Sequence, residues 1–295
     1  MLTHSHAPGA TGRVVILGAG GFVSPALAAQ LTAGGTEVLA IGSRDADLSD
    51  PASVAPVAGR LREGDALVVA AALTPDKGKD LGTCIRNLRM AETVAAVVAR
   101  VHLAHLVYLS SDALYGWQDA VVSERTPPSP GDLYGTMHLA REFALQAAAD
   151  RAGVPYCVLR PCAIYGPGDT HNGYGPNRFV RSAVKDGVIR LFGAGDETRD
   201  HVFIGDVVRL IGEVLQRRSR GLLNVASGHS VAFSDLAAQV AGLAGRPVRI
   251  ESLPRTGPCT HRRFDRQALL AAFPSFVPTA LDQGLRALLL ASAND

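Results

Sequence analysis

The sequence predicts an α/β protein built on a doubly wound parallel sheet, with a smaller, partly interleaved lobe at its C-terminal end. Short apolar runs alternate with helical stretches from residue 13 to about residue 160, which is typical of a parallel sheet with helices on both faces. A glycine-rich turn joins the first run to the first helix, and loop-rich stretches with shorter elements follow Pro161. We therefore expect a first domain over residues 13–165 and a second lobe over residues 166–295.

Each element of the first domain has a local signal. Arg13–Leu17 (RVVIL) predicts a fully buried strand, and Phe22–Ala33 predicts the helix that follows it. Asp50-Pro51 is a favourable N-cap and first-turn pair for a short second helix. The remaining strands are predicted at Glu37–Ile41, Asp65–Ala70, Leu103–Leu109 and Pro155–Arg160, and the two long helices at 80–101 and 132–152.

Composition excludes several classes of protein. The 295 residues carry a net charge of +2 and are 19% charged, so we expect no nucleic acid partner. No run approaches the ~18 continuous apolar residues of a membrane span. Residues 1–12 lack the apolar segment of a signal peptide, and we expect a disordered leader. The cysteines lack the spacing of metal ligands, which favours a reducing, cytoplasmic compartment and no metal site. They are Cys84, Cys157, Cys162 and Cys259.

The turn between the first strand and helix carries the first functional signal, Gly18-Ala19-Gly20-Gly21-Phe22-Val23-Ser24. Glycines at such a turn let the backbone approach a pyrophosphate, and the free N–H groups of the helix face the anion. Ser24, at the position of a third glycine, is small enough for the helix to pack closely on the strand. The sequence therefore predicts a Rossmann-type NAD(P)-binding domain. Its phosphate contacts are expected from Gly18, Gly20, Gly21, Phe22 and Val23.

The end of the second strand bears on the choice of cofactor. Sites that bind NAD usually place an Asp or Glu there to bind the ribose 2′-hydroxyl, whereas this chain has Ser43 and Arg44. A guanidinium suits a 2′-phosphate, so NADP is favoured while NAD stays open. Asp47 and Leu48 are expected to border the adenine.

Short motifs continue along nearly the whole chain. They are the Gly18 turn, Ala70-Ala71-Ala72, Asn87, Leu109–Gly116, Tyr134 with His138, Leu159-Arg160-Pro161, Tyr165–Gly168, Gly193-Ala194-Gly195, Thr198-Arg199-Asp200, Asp206-Val207-Val208 and Asn224–Gly228. In their order and spacing the chain resembles the extended short-chain dehydrogenase/reductase superfamily, which includes nucleotide-sugar epimerases, dehydratases and reductases. The resemblance implies hydride transfer between a nicotinamide and a sugar alcohol or ketone.

The resemblance also implies roles for individual residues. Tyr134 matches the phenol that exchanges a proton with the carbonyl oxygen, and Ser111 matches the hydroxyl that hydrogen-bonds this oxygen. The family has a lysine four residues after the tyrosine, which binds the nicotinamide ribose and lowers the pKa of the phenol. This chain has His138 there, and histidine is mostly neutral at pH 7. Two interpretations stay open: an active enzyme working as a reductase, or a regulatory or scaffolding protein that only binds the cofactor.

Other positions follow from the same resemblance. Asp112-Ala113 stands where dehydratases have an Asp-Glu pair, and the missing glutamate disfavours dehydration, leaving a 4-ketosugar reductase or an epimerase. Further cofactor contacts are expected from Ala70, Ala71, Ala72, Ser110, Pro161 and Ile164, beside Tyr134 and His138. Contacts with a nucleotide-sugar substrate are expected from Asp112, Ala163, Asn177, Arg199 and one of Arg262 and Arg263, of which we assign Arg263.

The two long helices at 80–101 and 132–152 are rich in alanine, valine and leucine. In relatives such a pair forms a four-helix dimer interface, so the resemblance implies a homodimer. The alternative is that the apolar faces of these helices only cover the sheet.

Overall fold

The computed structural model describes residues 2–117 and 121–292 and confirms the doubly wound α/β prediction. Its main sheet has six strands in the order β2-β1-β3-β4-β5-β9, and every neighbouring pair is parallel. The strand order reverses beside β1, where a doubly wound sheet opens a crevice at the carboxyl ends of its strands. The strands are β1 Val14–Leu17, β2 Val38–Ile41, β3 Ala66–Val69, β4 His105–Leu109, β5 Tyr156–Pro161 and β9 Gly221–Val225.

Helices cover both faces of this sheet because alternate strand residues point to opposite sides. Val14 and Ile16 pack in one apolar core with α1 and α6, whereas Val15 and Leu17 pack in a second core with α2, α3 and α4. The helices of the described residues are α1 Val23–Ala33, α2 Val54–Ala58, α3 Leu81–Val98, α4 Leu133–Ala152, α5 Pro176–Asp186, α6 Ile204–Gln216, α7 Phe233–Leu243, α8 Gln267–Ala272 and α9 Leu281–Ser292.

The C-terminal part of the chain builds a smaller body and also returns to the main sheet. Its third apolar core unites α5, α7 and α9, beside a three-stranded sheet β10-β8-β6 and a two-stranded sheet β11-β7. Meanwhile α6 packs on α1 and β9 pairs with β5. The strands are β6 Ala163–Tyr165, β7 Val188–Phe192, β8 Thr198–Phe203, β10 Ser230–Ala232 and β11 Arg249–Leu253.

The N-terminal segment differs from the expected disordered leader. Thr3 exchanges backbone hydrogen bonds of 2.9 and 2.8 Å with Arg220. His4 bonds the Ser219 hydroxyl at 2.8 Å and packs on the ring of Phe273, 5.1 Å between centroids. Residues 2–9 therefore dock beside β9 and α8. Composition did not predict this contact because the partners lie more than 200 residues away.

None of the helices in the part of the chain that the structure describes is both long enough and apolar enough to cross a bilayer.

Candidate active site

A cavity of about 440 Å³ lies at the carboxyl ends of β1, β3, β4 and β5. It brings together predicted residues as far apart in sequence as Gly21 and Asn177. Those that line it are Gly21, Phe22, Val23, Ala70, Ala72, Ser110, Ser111, Asp112, Tyr134, His138, Pro161, Ala163, Ile164 and Asn177. Predicted residues outside its lining are Gly18, Gly20, Ser43, Arg44, Asp47, Leu48, Ala71, Arg199 and Arg263.

The glycine turn at one end of the cavity is shaped for an anion. Gly18 has a φ of +108°, and a Cβ there would lie 2.7 Å from the Ala71 amide nitrogen, so the turn packs on the end of β3 as only glycine allows. A Cβ on Gly20 would meet open space. Helix α1 starts at Val23 with no side-chain cap and no acidic residue in its first turn. Its amide groups are therefore free to bind phosphate oxygens.

The end of β2 leaves one guanidinium exposed. Arg44 is exposed, while the neighbouring Asp45 folds back to accept a hydrogen bond from the Gly42 amide at 2.9 Å and pairs with Arg60 at 3.3 Å. This backbone hydrogen bond, followed by Arg60, lowers the pKa of the Asp45 carboxyl. Leu48 is buried against the sheet.

Ser111 and Tyr134 meet because helix α4 begins very close to the end of β4. Asp132 caps α4 by accepting the Gly135 amide hydrogen at 2.8 Å. A Cβ at Gly135 would lie 2.3 Å from the Ala113 carbonyl oxygen, so this glycine permits the approach. Burial, with Asp112 nearby, raises the pKa of Tyr134 to about 12, although Arg141 and the Ser111 hydroxyl oppose the rise. The phenol is therefore protonated at neutral pH.

His138 lies one helical turn after Tyr134, and the ring centroids are 4.7 Å apart. Its ring is 2% exposed. The Nδ1 atom is 2.7 Å from the Tyr108 hydroxyl, and Nε2 has no hydrogen-bond partner within residues 2–117 and 121–292. Burial, helped by Arg141, holds the pKa of His138 well below its usual value. The ring is therefore neutral at physiological pH.

A buried polar network supports this side of the cavity. The Ser110 hydroxyl donates to Glu142 at 2.6 Å, so this predicted cofactor contact also anchors β4 to α4. Glu142 accepts two hydrogen bonds from Arg160, at 2.9 and 2.5 Å. Arg160 also donates to the Tyr115 hydroxyl at 2.8 Å. The sequence did not identify Glu142. It lies in α4 three residues before a buried leucine, and nothing in the local sequence marks it as chemically important.

The part of the cavity where substrate contacts were predicted holds an acid with an altered pKa. Burial raises the pKa of Asp112 to about 6, against the opposing effect of Arg262 and Arg199. Asn177 bonds Gly166 twice, accepting at 3.0 Å and donating at 2.7 Å. Its amide therefore fixes the loop after β6, and this contact was not foreseen. Ala163 is exposed on the cavity wall.

The predicted arginines sit beside the cavity. Arg199 donates to the Thr260 carbonyl at 2.7 Å and to the Thr260 hydroxyl at 2.6 Å. Arg263 is exposed, whereas Arg262 is 3% exposed and donates to the Tyr115 carbonyl at 2.9 Å. The Arg199 and Arg262 guanidiniums lie 4.5 and 4.6 Å from the Trp117 ring centroid. The structure thus directs Arg262 inward in place of Arg263, because alternate residues of this extended segment face opposite ways.

Two loops meet over the cavity beside Phe22. His171 bonds Asp169 at 3.1 Å, and its Nε2 lies 4.0 Å from Asp76. The Asp169 hydrogen bond, together with the charge of Asp76, raises the pKa of His171. No cluster of three His, Cys, Asp or Glu side chains suited to a metal ion occurs among the residues described.

The chain matches the model of the NAD dependent epimerase/dehydratase family over residues 14–226. It is 31% identical over 169 residues to a dTDP-L-rhamnose 4-epimerase of Burkholderia thailandensis, covering 55% of this chain and 47% of that protein. It is 29% identical over 269 residues to a dTDP-4-dehydrorhamnose reductase of Mycolicibacterium smegmatis, covering 87% and 75%. The chain spans about half the length of the first curated relatives that it matches.

Solved structures share the fold. The UDP-glucose 4-epimerase of Thermus thermophilus, in complex with NAD, superposes with a TM-score of 0.84 at 21% identity, covering 95% of this chain and 98% of that one. RMD from Pseudomonas aeruginosa, complexed with NADPH, gives 0.82 at 24% identity, covering 95% and 99%.

Proposed function

The chain belongs to the NAD-dependent epimerase/dehydratase family of the extended short-chain dehydrogenases/reductases, and we propose that it is an NADP(H)-dependent 4-ketosugar reductase acting on a nucleotide sugar. The observation that carries the proposal is the convergence of Ser111, Tyr134 and His138 in one cavity that adjoins the glycine turn. Relatives named as a dTDP-4-dehydrorhamnose reductase and a dTDP-L-rhamnose 4-epimerase support a nucleotide-sugar substrate.

The protonation of Tyr134 favours reduction over epimerisation. With a pKa of about 12, the phenol carries its proton at neutral pH and is ready to donate it to a carbonyl oxygen that gains a hydride. An epimerase needs the same group to remove a proton first, which requires the ionised phenolate. A phenol with so high a pKa is rarely ionised at neutral pH. Ser111 would hydrogen-bond the same oxygen. Dehydration is disfavoured because Ala113 stands where a base would be needed.

The residues present fit a nicotinamide dinucleotide, which would supply the hydride. The uncapped start of α1 fits the pyrophosphate, and the unpartnered Nε2 of His138 fits a ribose hydroxyl. The exposed Arg44 fits a 2′-phosphate and supports NADP over NAD. We assign cofactor binding to residues 13–165 and substrate contacts to residues 166–295, together with Asp112 and with Arg262 as the inward-facing arginine.

We also propose a cytoplasmic homodimer. Three large apolar side chains on one face of α3 are exposed, Leu81 by 61%, Ile85 by 41% and Leu88 by 37%, and Phe143 on the neighbouring α4 is exposed by 69%. A two-fold pairing of these helices would cover the patch. The unpaired state of all four cysteines supports a reducing compartment.

The test is the oxidation of NADPH and of NADH in the presence of a panel of dTDP-, UDP- and GDP-linked 4-ketosugars. Tyr134→Phe should lower turnover by about 10²–10⁴-fold, which is the usual contribution of a positioned proton donor. Tyr156→Phe is the matched control, since it removes a phenol hydroxyl buried near Glu142 and outside the cavity. Unchanged turnover in Tyr134→Phe would refute the assigned mechanism.

A second candidate function is cofactor binding without turnover. The neutral, deeply buried His138 favours it, since the site lacks the lysine charge that the family uses. In that case NADPH binds, no ketosugar of the panel oxidises it, and His138→Lys is the variant in which turnover should return.

A further inference from the structure

Arg141 is a buried cation that the proposed mechanism does not use. Its side chain is 0% exposed. The guanidinium donates to the Ala71 carbonyl at 2.7 Å and to the Asn87 side-chain oxygen at 3.3 Å. No carboxylate of the described ranges pairs with it within 4.0 Å. Arginine keeps its charge inside proteins, and a buried charge without a counter-ion destabilises the folded state. A charge kept at this cost points to a role in the site.

A continuous set of contacts joins this cation to the proton donor. The Arg141 guanidinium lies 5.1 Å above the centre of the Tyr108 ring. The Tyr108 hydroxyl is 2.7 Å from His138 Nδ1, and the His138 ring is 4.7 Å from that of Tyr134. Residues 134, 138 and 141 follow one another at intervals of four and three along α4, so they share one face of the helix.

The contact with Tyr108 selects one tautomer of His138. Tyr108 is fully buried, and burial raises the pKa of its phenol, so it holds a proton to donate. The neighbouring Ser110 hydroxyl gives its own proton to Glu142 at 2.6 Å, and within the described residues His138 Nδ1 is the atom within hydrogen-bond distance of the Tyr108 hydroxyl. With Tyr108 donating to Nδ1, the proton of the neutral imidazole sits on Nε2. This is the unpartnered atom of a ring that lines the cavity.

We propose that two residues divide the work of a single active-site lysine: Arg141 supplies a buried positive charge two helical turns from Tyr134 on the same face of α4, and His138 supplies an uncharged N–H donor whose tautomer Tyr108 fixes. Arg141 and Tyr108 are positioning residues, since they act through Tyr134 and His138. This proposal rests on the proposed function, but both halves can be measured on the chain without cofactor or substrate.

The role assigned to Arg141 is tested by titrating the Tyr134 phenol. The groups that act on this phenol are Asp112 and Asp132, which raise its pKa, and Arg141 and Ser111, which lower it. Biosynthetic 3,5-difluorotyrosine, whose phenol ionises near neutrality, brings the titration into a range in which the fold is stable. The Tyr134 signal is then followed by ¹⁹F NMR and assigned with Tyr134→Phe.

Arg141→Met should raise the Tyr134 midpoint by about one pH unit, the coulombic effect of one charge at an effective dielectric constant of about 20. Arg141→Lys, which keeps the charge, should stay near the parent. If Arg141→Met does not fold, Arg141→Gln removes the same charge and keeps an amide for the Ala71 carbonyl. Equal midpoints in the parent and the charge-removing variant overturn the assignment of Arg141.

The tautomer assigned to His138 is tested by ¹⁵N NMR of the histidine rings, and the His138→Gln variant identifies the His138 signal. The parent should show a protonated Nε2 and an unprotonated Nδ1, and Tyr108→Phe should mix the two forms. A proton on Nδ1 in the parent overturns this half. Binding of NADPH should weaken several-fold in Tyr108→Phe while 2′,5′-ADP, which lacks the nicotinamide ribose, binds equally well. If neither ligand binds the parent, the proposed function fails while the two NMR results still stand.

Discussion

Replacement of Asp112 by asparagine should stabilise the protein at neutral pH. Burial raises the pKa of this carboxyl from 3.8 to about 6, so the folded chain binds the proton more tightly than the unfolded chain does. The contribution of Asp112 to stability is therefore complete below about pH 4 and is lost as the pH rises through about 6. At 1.36 kcal/mol per pH unit, the shift is worth about 2–3 kcal/mol at pH 8, the lower value allowing for the partial exposure of the side chain.

The assay is urea unfolding of the parent and of Asp112→Asn between pH 4 and pH 8. The variant should be about 2–3 kcal/mol more stable at pH 8, and the difference should shrink toward zero at pH 4. Asp45→Asn is the matched control, since Asp45 is exposed and its pKa is lowered by the Gly42 amide, so this variant should show no gain at pH 8. If the free energy of unfolding of Asp112→Asn at pH 8 were equal to that of the parent or lower, the reasoning would be contradicted.

Three further outcomes follow from the structure. Glu142→Gln should lower the free energy of unfolding in urea by about 3–5 kcal/mol, because it leaves the buried Arg160 guanidinium without its charged partner at 2.5 Å. A decrease under about 1 kcal/mol would be too small for a buried ion pair. Gly135→Ala should abolish turnover, because its Cβ would clash with the Ala113 carbonyl oxygen and displace Tyr134 from Ser111; full activity would disprove the close approach. A thiol reagent should label Cys259 alone in the folded chain, because Cys84, Cys157 and Cys162 are buried; mass spectrometry of the labelled peptides checks this.

Much of the fold was predictable because its signals are local. The strand Val14–Leu17 is apolar throughout, since both faces of a parallel sheet are covered. Gly18 is required where it stands because its φ is +108° and a side chain would clash with the backbone of Ala70 and Ala71, just after β3. Predicted strand ends were off by one or two residues, because the ends of strands depend on pairing with neighbours that the local sequence does not reveal.

The candidate site was predictable only where a motif carries it. Ser111, Tyr134 and His138 were identified through the family resemblance, and the structure places them in one cavity. The assignment of Arg263 over Arg262 stays a prediction, but the structure buries Arg262 and leaves Arg263 exposed, and the local sequence does not reveal which side of an extended segment faces inward. Arg141 and Tyr108 escaped notice because they are brought together by the packing of α4 on β4, and neither position carries a sequence signal for that contact.

Burial acts on the proton-carrying groups of this cavity in one direction. It raises the pKa of Tyr134 to about 12 and that of Asp112 to about 6, and it holds the pKa of His138 well below its usual value. In each case burial favours the neutral form, so Tyr134 keeps its proton and His138 stays uncharged at neutral pH, whereas Asp112 ionises as the pH rises through about 6. Arg141, on the same face of α4 as Tyr134 and His138, adds a buried and permanent positive charge behind the cavity. A cavity of this kind is suited to receiving negative charge on a substrate oxygen, which is what the reduction of a ketone creates.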